Sequence, residues 1–106
     1  MNMDFINSNA LIYDFEAENA TLREEIITLS YKRGVLDTEF NSIVGRLNHL
    51  EKEELNNGRY CNTYYKGISG DVARLKEIVD KIEYYNMLID DYRKHIEHNN
   101  RLMRRV

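Results

Sequence analysis

A heptad repeat of apolar residues runs through the first half of the sequence. Leu22, Leu29 and Leu36 stand seven residues apart in LREEIITLSYKRGVL, within a series whose step alternates between three and four residues. With Ile12 taken as position a, all six d positions are apolar, which is typical of a helix that packs along one face. We predict a dimer seam of Ile12, Phe15, Asn19, Leu22, Ile26, Leu29, Leu36, Phe40, Ile43, Leu47 and Leu50.

The residues that flank this repeat favour two parallel strands. In a parallel pair, each g residue faces the following e residue of the partner. Three such pairs would be attractive and none repulsive: Glu18–Arg23, Lys32–Asp37 and Arg46–Glu51. Asn19 lies at an a position, where a single buried Asn fixes register and favours a two-stranded parallel coil. The flanks therefore predict a coiled-coil homodimer.

A second apolar repeat follows from about residue 70. One column of residues recurs at every seventh position: Ile68, Leu75, Ile82, Ile89, Ile96 and Met103. The column is widened by Val72 and Val79 on one side and by Ile78, Tyr85 and Tyr92 on the other. Such a broad apolar face is expected of a helix that packs on more than one neighbour.

The segment NNGRYCNTYYKGISG, residues 56–70, breaks both repeats and contains three glycines, as a turn does. We therefore predict an all-α protein with a single elongated domain over residues 1–106. Its first helix covers about 10–56, a bend covers 57–69, and a second helix covers about 70–103. The two helices form a helical hairpin that pairs as a coiled-coil homodimer. A V-shaped or continuous arrangement of the same helices is the alternative.

The composition suits an elongated helical protein, since 31% of residues are charged and Pro is absent. The single cysteine, Cys61, excludes an internal disulfide. The first residues lack the pattern of a secretory signal, and no apolar run approaches the roughly 18 residues of a membrane helix. We therefore expect a cytoplasmic protein. The abundance of Asn, Ile and Tyr is compatible with a viral or phage gene.

No nucleotide-binding, nucleophilic or redox motif occurs, so we expect neither an enzyme nor a cofactor. The set closest to a metal site is Asp91, His95 and His98, whose spacing of i, i+4 and i+7 places them on one helix face. A convincing fourth ligand is missing, and a solvated charged face is the simpler interpretation. We predict no metal site.

Nucleic-acid binding is the alternative function. The last residues are basic, whereas the segment before the leucine repeat is acidic, opposite to a basic leucine zipper. Arg101, Arg104 and Arg105 could contact phosphate, but cations near a helix C-terminus also complement the helix dipole. A nucleic-acid-associated or nucleic-acid-enzyme-inhibiting protein would act through this basic end or through the acidic first helix.

The tyrosine cluster in the bend is more than a turn requires. Arg59, Tyr60, Tyr64 and Tyr65 combine aromatic and basic side chains, which are enriched in interface hot spots. They are the predicted site for another protein, and covering the end of the hairpin core is the alternative role. The expected function is therefore a non-enzymatic assembly or adaptor protein that homodimerises and binds a protein partner.

Overall fold

A computed structural model of the protein describes residues 8–57 and 62–106, and the side chains of residues 8–52 and 68–106. Helix α1 spans Ser8–Asn57 and helix α2 spans Asn62–Met103. Within the described ranges there is no strand, which confirms the all-α prediction. Over the same ranges, neither helix has a stretch apolar enough to cross a membrane.

The two helices form a helical hairpin, as predicted, and the chain divides into two compact units. In the first unit, α1 up to Ser30 packs with Asn86–Val106. The second unit lies within Tyr31–Tyr85. Each unit is therefore built from one stretch of α1 and one stretch of α2.

The core of the second unit follows the heptad spacing of both helices. Leu36, Ile43 and Ile78 are buried, and Ile78 is 0% exposed. Their half-buried neighbours are Phe40, Leu47, Leu75, Ile82 and Tyr85. Along each helix these residues are separated by three or four positions, which places them on one face. Full burial of an aliphatic side chain such as Ile78 stabilises the fold by about 1.5–3 kcal/mol.

The core of the first unit combines apolar and amide side chains. Leu22, Leu29 and Ile89 are buried there, together with Asn19 and Asn99. Leu22 and Leu29 belong to the d positions of α1. The apolar face that the sequence predicts for α1 is thus buried in both units by α2 of the same chain.

Helix α2 begins earlier than the sequence predicts. It starts at Asn62 rather than at about residue 70, so residues 62–69 of the predicted bend are helical. Gly70, the last of the three glycines in the segment that breaks both repeats, lies inside α2. A glycine inside a helix costs about 1 kcal/mol relative to alanine, which weakens a long helix without ending it.

Candidate functional site

A layer of amide side chains lies inside the first unit. Asn19 of α1 is 1% exposed and Asn99 of α2 is 3% exposed. Asn99 Nδ2 donates to Asn19 Oδ1 at 2.9 Å, and Asn19 Nδ2 donates to Asn100 Oδ1 at 3.1 Å. A buried amide left without a partner costs about 1–3 kcal/mol, so the layer favours one register of α1 against α2.

A carboxylate and an imidazole extend this layer to the surface. Asn99 Nδ2 also donates to Glu18 Oε1 at 3.0 Å, and His95 Nε2 lies 2.5 Å from the same oxygen. His95, which belongs to the set of Asp91, His95 and His98 considered above, therefore contacts Glu18 of α1. Among the residues that the structure describes, no three His, Cys, Asp or Glu side chains are grouped to hold a metal ion.

The residues predicted to form the dimer seam lie along the face of α1 that meets α2. Five are buried: Asn19, Leu22, Leu29, Leu36 and Ile43. Six are half-buried: Ile12, Phe15, Ile26, Phe40, Leu47 and Leu50. A parallel dimer through these residues would have to share or replace the contact with α2. Pairing through this seam stays a prediction.

Ion pairs close one edge of the second unit. Arg74 donates to both carboxylate oxygens of Glu39, at 2.5 and 2.9 Å, and to Glu77 at 3.1 Å. Arg46 donates to both oxygens of Asp71, at 3.1 and 2.7 Å. These hydrogen bonds hold the pKa values of Glu39 and Asp71 below their ordinary values and raise those of Arg46 and Arg74. Along α1 the order is Glu39 then Arg46, whereas their partners on α2 occur in the reverse order, Arg74 after Asp71. The two helices are therefore antiparallel here.

The opposite edge of the second unit is open and apolar. Val72 and Val79, two positions that widen the apolar face of α2, are 38% and 39% exposed. Two hollows, of about 280 and 220 Å³, adjoin there and share Phe40 and Val79 in their walls. We call this surface the valine groove. Its other lining residues are Asp37, Leu75, Lys76, Asp80, Ile82 and Glu83, in addition to Val72.

A third hollow, of about 290 Å³, lies on the ion-paired edge of the same unit. Tyr31, Val35, Leu36 and Tyr85 provide apolar lining. Two lysines complete it, Lys32 from α1 and Lys81 from α2. This hollow is therefore positively charged, whereas the valine groove carries both signs of charge.

The valine groove is the surface that the sequence analysis did not single out as a site. The signal was present, because Val72 and Val79 stand seven residues apart beside the packed column of α2. Periodicity assigns them to the apolar face, but their exposure depends on how much of that face α1 covers. The predicted partner-binding residues Arg59, Tyr60, Tyr64 and Tyr65 lie outside the residues whose side chains are described.

No family model matches the chain, and neither a curated protein nor a solved structure shows significant similarity to it. The structural class is that of an all-helical hairpin.

Proposed function

We propose that the chain is a non-enzymatic assembly or adaptor protein that forms a coiled-coil homodimer and binds another protein. The observation that carries this proposal is the division of its apolar residues. One set packs α1 against α2, and a second set remains exposed on the outer faces of the helices. The exposed set includes Tyr13, Ile27, Tyr31, Val35, Val72, Val79, Tyr84 and Met87.

Exposed apolar side chains are common singly, but adjoining ones favour a contact with another macromolecule. Val72 and Val79 adjoin in the valine groove, and Tyr31 and Val35 adjoin beside the third hollow. Both surfaces are open, whereas small-molecule sites enclose most of their ligand. This contrast supports protein binding over catalysis.

We propose the tyrosine cluster, Arg59, Tyr60, Tyr64 and Tyr65, as the site that contacts the other protein. Tyrosine buries a large area at a small cost in side-chain entropy, and arginine adds directional hydrogen bonds. The experiment compares proteins retained from host extract by the wild-type chain and by a variant with serine at all three tyrosines. We expect the variant to stay helical and to lose partner affinity by more than about 2 kcal/mol, the usual hot-spot threshold.

The matched control for that experiment replaces Tyr13 and Tyr84 with serine, because both are exposed and neither lines the valine groove or the third hollow. The control should retain the partner. Unfolding of the triple variant would instead assign the three rings to the end of the core, and equal capture by both variants would remove the cluster as the contact site.

A second candidate function, association with nucleic acid, is favoured by the exposure of Arg101, Arg104 and Arg105 near the end of α2. Phosphate contacts release counterions, so such binding falls steeply as salt rises. Retention on DNA or RNA at low salt that disappears with added salt would support this candidate. A lack of retention at low salt would remove direct binding.

A further inference from the structure

Two lysines face each other across the ion-paired edge of the second unit. Lys32 precedes Glu39 by seven residues, and Lys81 follows Arg74 by seven. Because the helices are antiparallel here, a shift of one heptad from the Glu39–Arg74 contact leads to Lys32 on α1 and Lys81 on α2. Both lysines line the third hollow, as this spacing requires. The position that holds an ion pair in one heptad therefore holds two cations in the next.

Neither of these lysines makes an ion pair with a residue that the structure describes. The carboxylates of Glu39 and Glu77 lie on the same edge, and Arg74 binds both. The hydrogen bond from Arg74 is the main cause of the lowered pKa of Glu39, and Lys81 adds a smaller attraction. Three cations against two carboxylates leave one positive charge in excess on this part of the edge.

The other acidic residues near these lysines in sequence belong to the opposite edge. Asp37, Asp80 and Glu83 line the valine groove. On α1, the residues three and four positions from Lys32 are uncharged: Thr28, Leu29, Val35 and Leu36. On α2, Glu77 is the charged residue at that distance from Lys81, and Arg74 holds it. The walls of the third hollow thus contain two cations and no anion.

Such a like-charge pair is unfavourable for the hairpin itself, since two ammonium groups close together repel each other. Natural sequences depart from a favourable pattern mainly where a function requires the departure. An anion between Lys32 and Lys81 would replace the repulsion with two attractions. The charge pattern of the third hollow is therefore complementary to an anionic ligand.

The remaining walls of the hollow indicate what kind of ligand carries that anion. Tyr31 and Val35 are 74% and 51% exposed there, beside Leu36 and Tyr85. A bare inorganic anion would leave this apolar surface in water. A carboxylate with an apolar side chain near it, as in an acidic peptide segment, covers both parts of the hollow.

Lysine and tyrosine together also occur in sites for single-stranded nucleic acid, where a continuous basic groove follows the phosphate backbone. The edge beyond the third hollow does not provide such a groove. Its next positions carry the carboxylates of Glu39, Glu77 and Asp71, which would repel successive phosphates. The surface therefore favours a short acidic peptide segment over a nucleic-acid strand.

We propose that the third hollow binds an acidic peptide segment of a partner protein, with a carboxylate between Lys32 and Lys81 and an apolar side chain against Tyr31 and Val35. This inference rests on the proposed protein-binding function and adds to it a second surface and the chemistry of the partner. The tyrosine cluster is a separate contact site, so each surface is tested by itself.

The test uses a fluorescently labelled helical peptide in which one leucine follows a glutamate by three residues and precedes another by four. A second peptide has glutamine in place of both glutamates. Fluorescence anisotropy at low salt, where exposed charges are least screened, gives the dissociation constants. We expect the wild-type chain to bind the glutamate peptide at least ~10-fold more tightly than the glutamine peptide.

Lys32→Glu separates binding from folding. It places a carboxylate opposite Lys81, so the melting temperature should stay at or above that of the wild-type chain, whereas the affinity for the glutamate peptide should fall at least ~10-fold. Lys76→Glu is the matched control, because it makes the same charge change at the valine groove. It should keep the affinity within ~3-fold of the wild-type value.

Four results would overturn this site: no binding of the glutamate peptide up to ~1 mM, equal binding of both peptides, equal losses in Lys32→Glu and Lys76→Glu, or a lower melting temperature for Lys32→Glu. A single-stranded oligonucleotide that displaced the peptide at equal concentration would also overturn it and would assign the hollow to nucleic acid. Capture of a host protein through the tyrosine cluster would stand in each case, and its loss alone would remove that contact site but not the third hollow.

Discussion

Asn19 accepts a hydrogen bond of 2.9 Å from the amide of Asn99, and both side chains are buried although 80 residues separate them. With an apolar pair at these positions, several neighbouring registers of α1 against α2 would have similar free energies. The amide pair penalises each shifted register, because the displaced groups would be buried without partners.

The amide layer leads to a prediction about single and double substitutions. Asn19→Leu leaves the buried Asn99 short of an acceptor, so we expect the free energy of unfolding to fall by about 1–3 kcal/mol. Asn19→Leu combined with Asn99→Leu removes both groups and should recover part of that loss. Urea unfolding followed by circular dichroism at one fixed protein concentration measures this. Losses that simply add would show that the two amides are not coupled.

Neighbouring residues of α2 should respond differently to truncation. Ile78 is fully buried, so Ile78→Ala should lower the free energy of unfolding by about 2–5 kcal/mol. Val79 is 39% exposed, and Val79→Ala should cost the single chain far less. The comparison is best made at a concentration where the chain is monomeric. Equal losses would mean that Val79 belongs to the core rather than to an open groove.

The ion-paired edge predicts an acid-sensitive contribution to stability. The hydrogen bonds from Arg74 and Arg46 lower the pKa values of Glu39 and Asp71 in the folded chain. The unfolded chain then binds more protons, so this contribution is complete above the ordinary carboxyl pKa of about 4 and is lost as the pH falls through the lowered values.

Chemical unfolding at a series of pH values tests this contribution. Glu39→Gln combined with Asp71→Asn should flatten the fall in stability below about pH 4. Glu24→Gln, which removes an exposed carboxylate of α1, is the control and should keep the wild-type slope. A double variant whose free energy of unfolding falls with acid as steeply as that of the control would show that these two ion pairs do not cause the acid sensitivity.

Replacing two d-position leucines with lysine shows whether these leucines form the core of one hairpin or the seam between two chains. Leu29 and Leu36 are 7% and 9% exposed within one chain. Leu29→Lys with Leu36→Lys should therefore reduce helix content and melting temperature even under conditions where the chain is monomeric, because unpaired charges replace core side chains. A variant that dissociated into monomers of unchanged stability would show that these leucines serve another chain.

The sequence predicts the helices, their apolar faces and the hairpin, because the three–four spacing of residues such as Leu36 and Ile43 depends only on helix geometry. It does not specify which helix covers a face. Asn19 illustrates this, since an isolated polar a position is typical of parallel dimers, whereas its observed partners are Asn99 and Asn100 of the same chain. The exposure of Val72 likewise depends on the width of the contact with α1, which periodicity does not determine.

The solution mass of the chain tests the central claim, that it assembles as a homodimer, most directly. Sedimentation equilibrium across a concentration series, from micromolar upward, gives that mass without labels or surfaces. The account predicts a species of twice the 12.7 kDa of one chain, in reversible equilibrium with the monomer at low concentration. A mass of one chain at every concentration up to ~100 times the lowest one would contradict it, because self-association must increase with concentration.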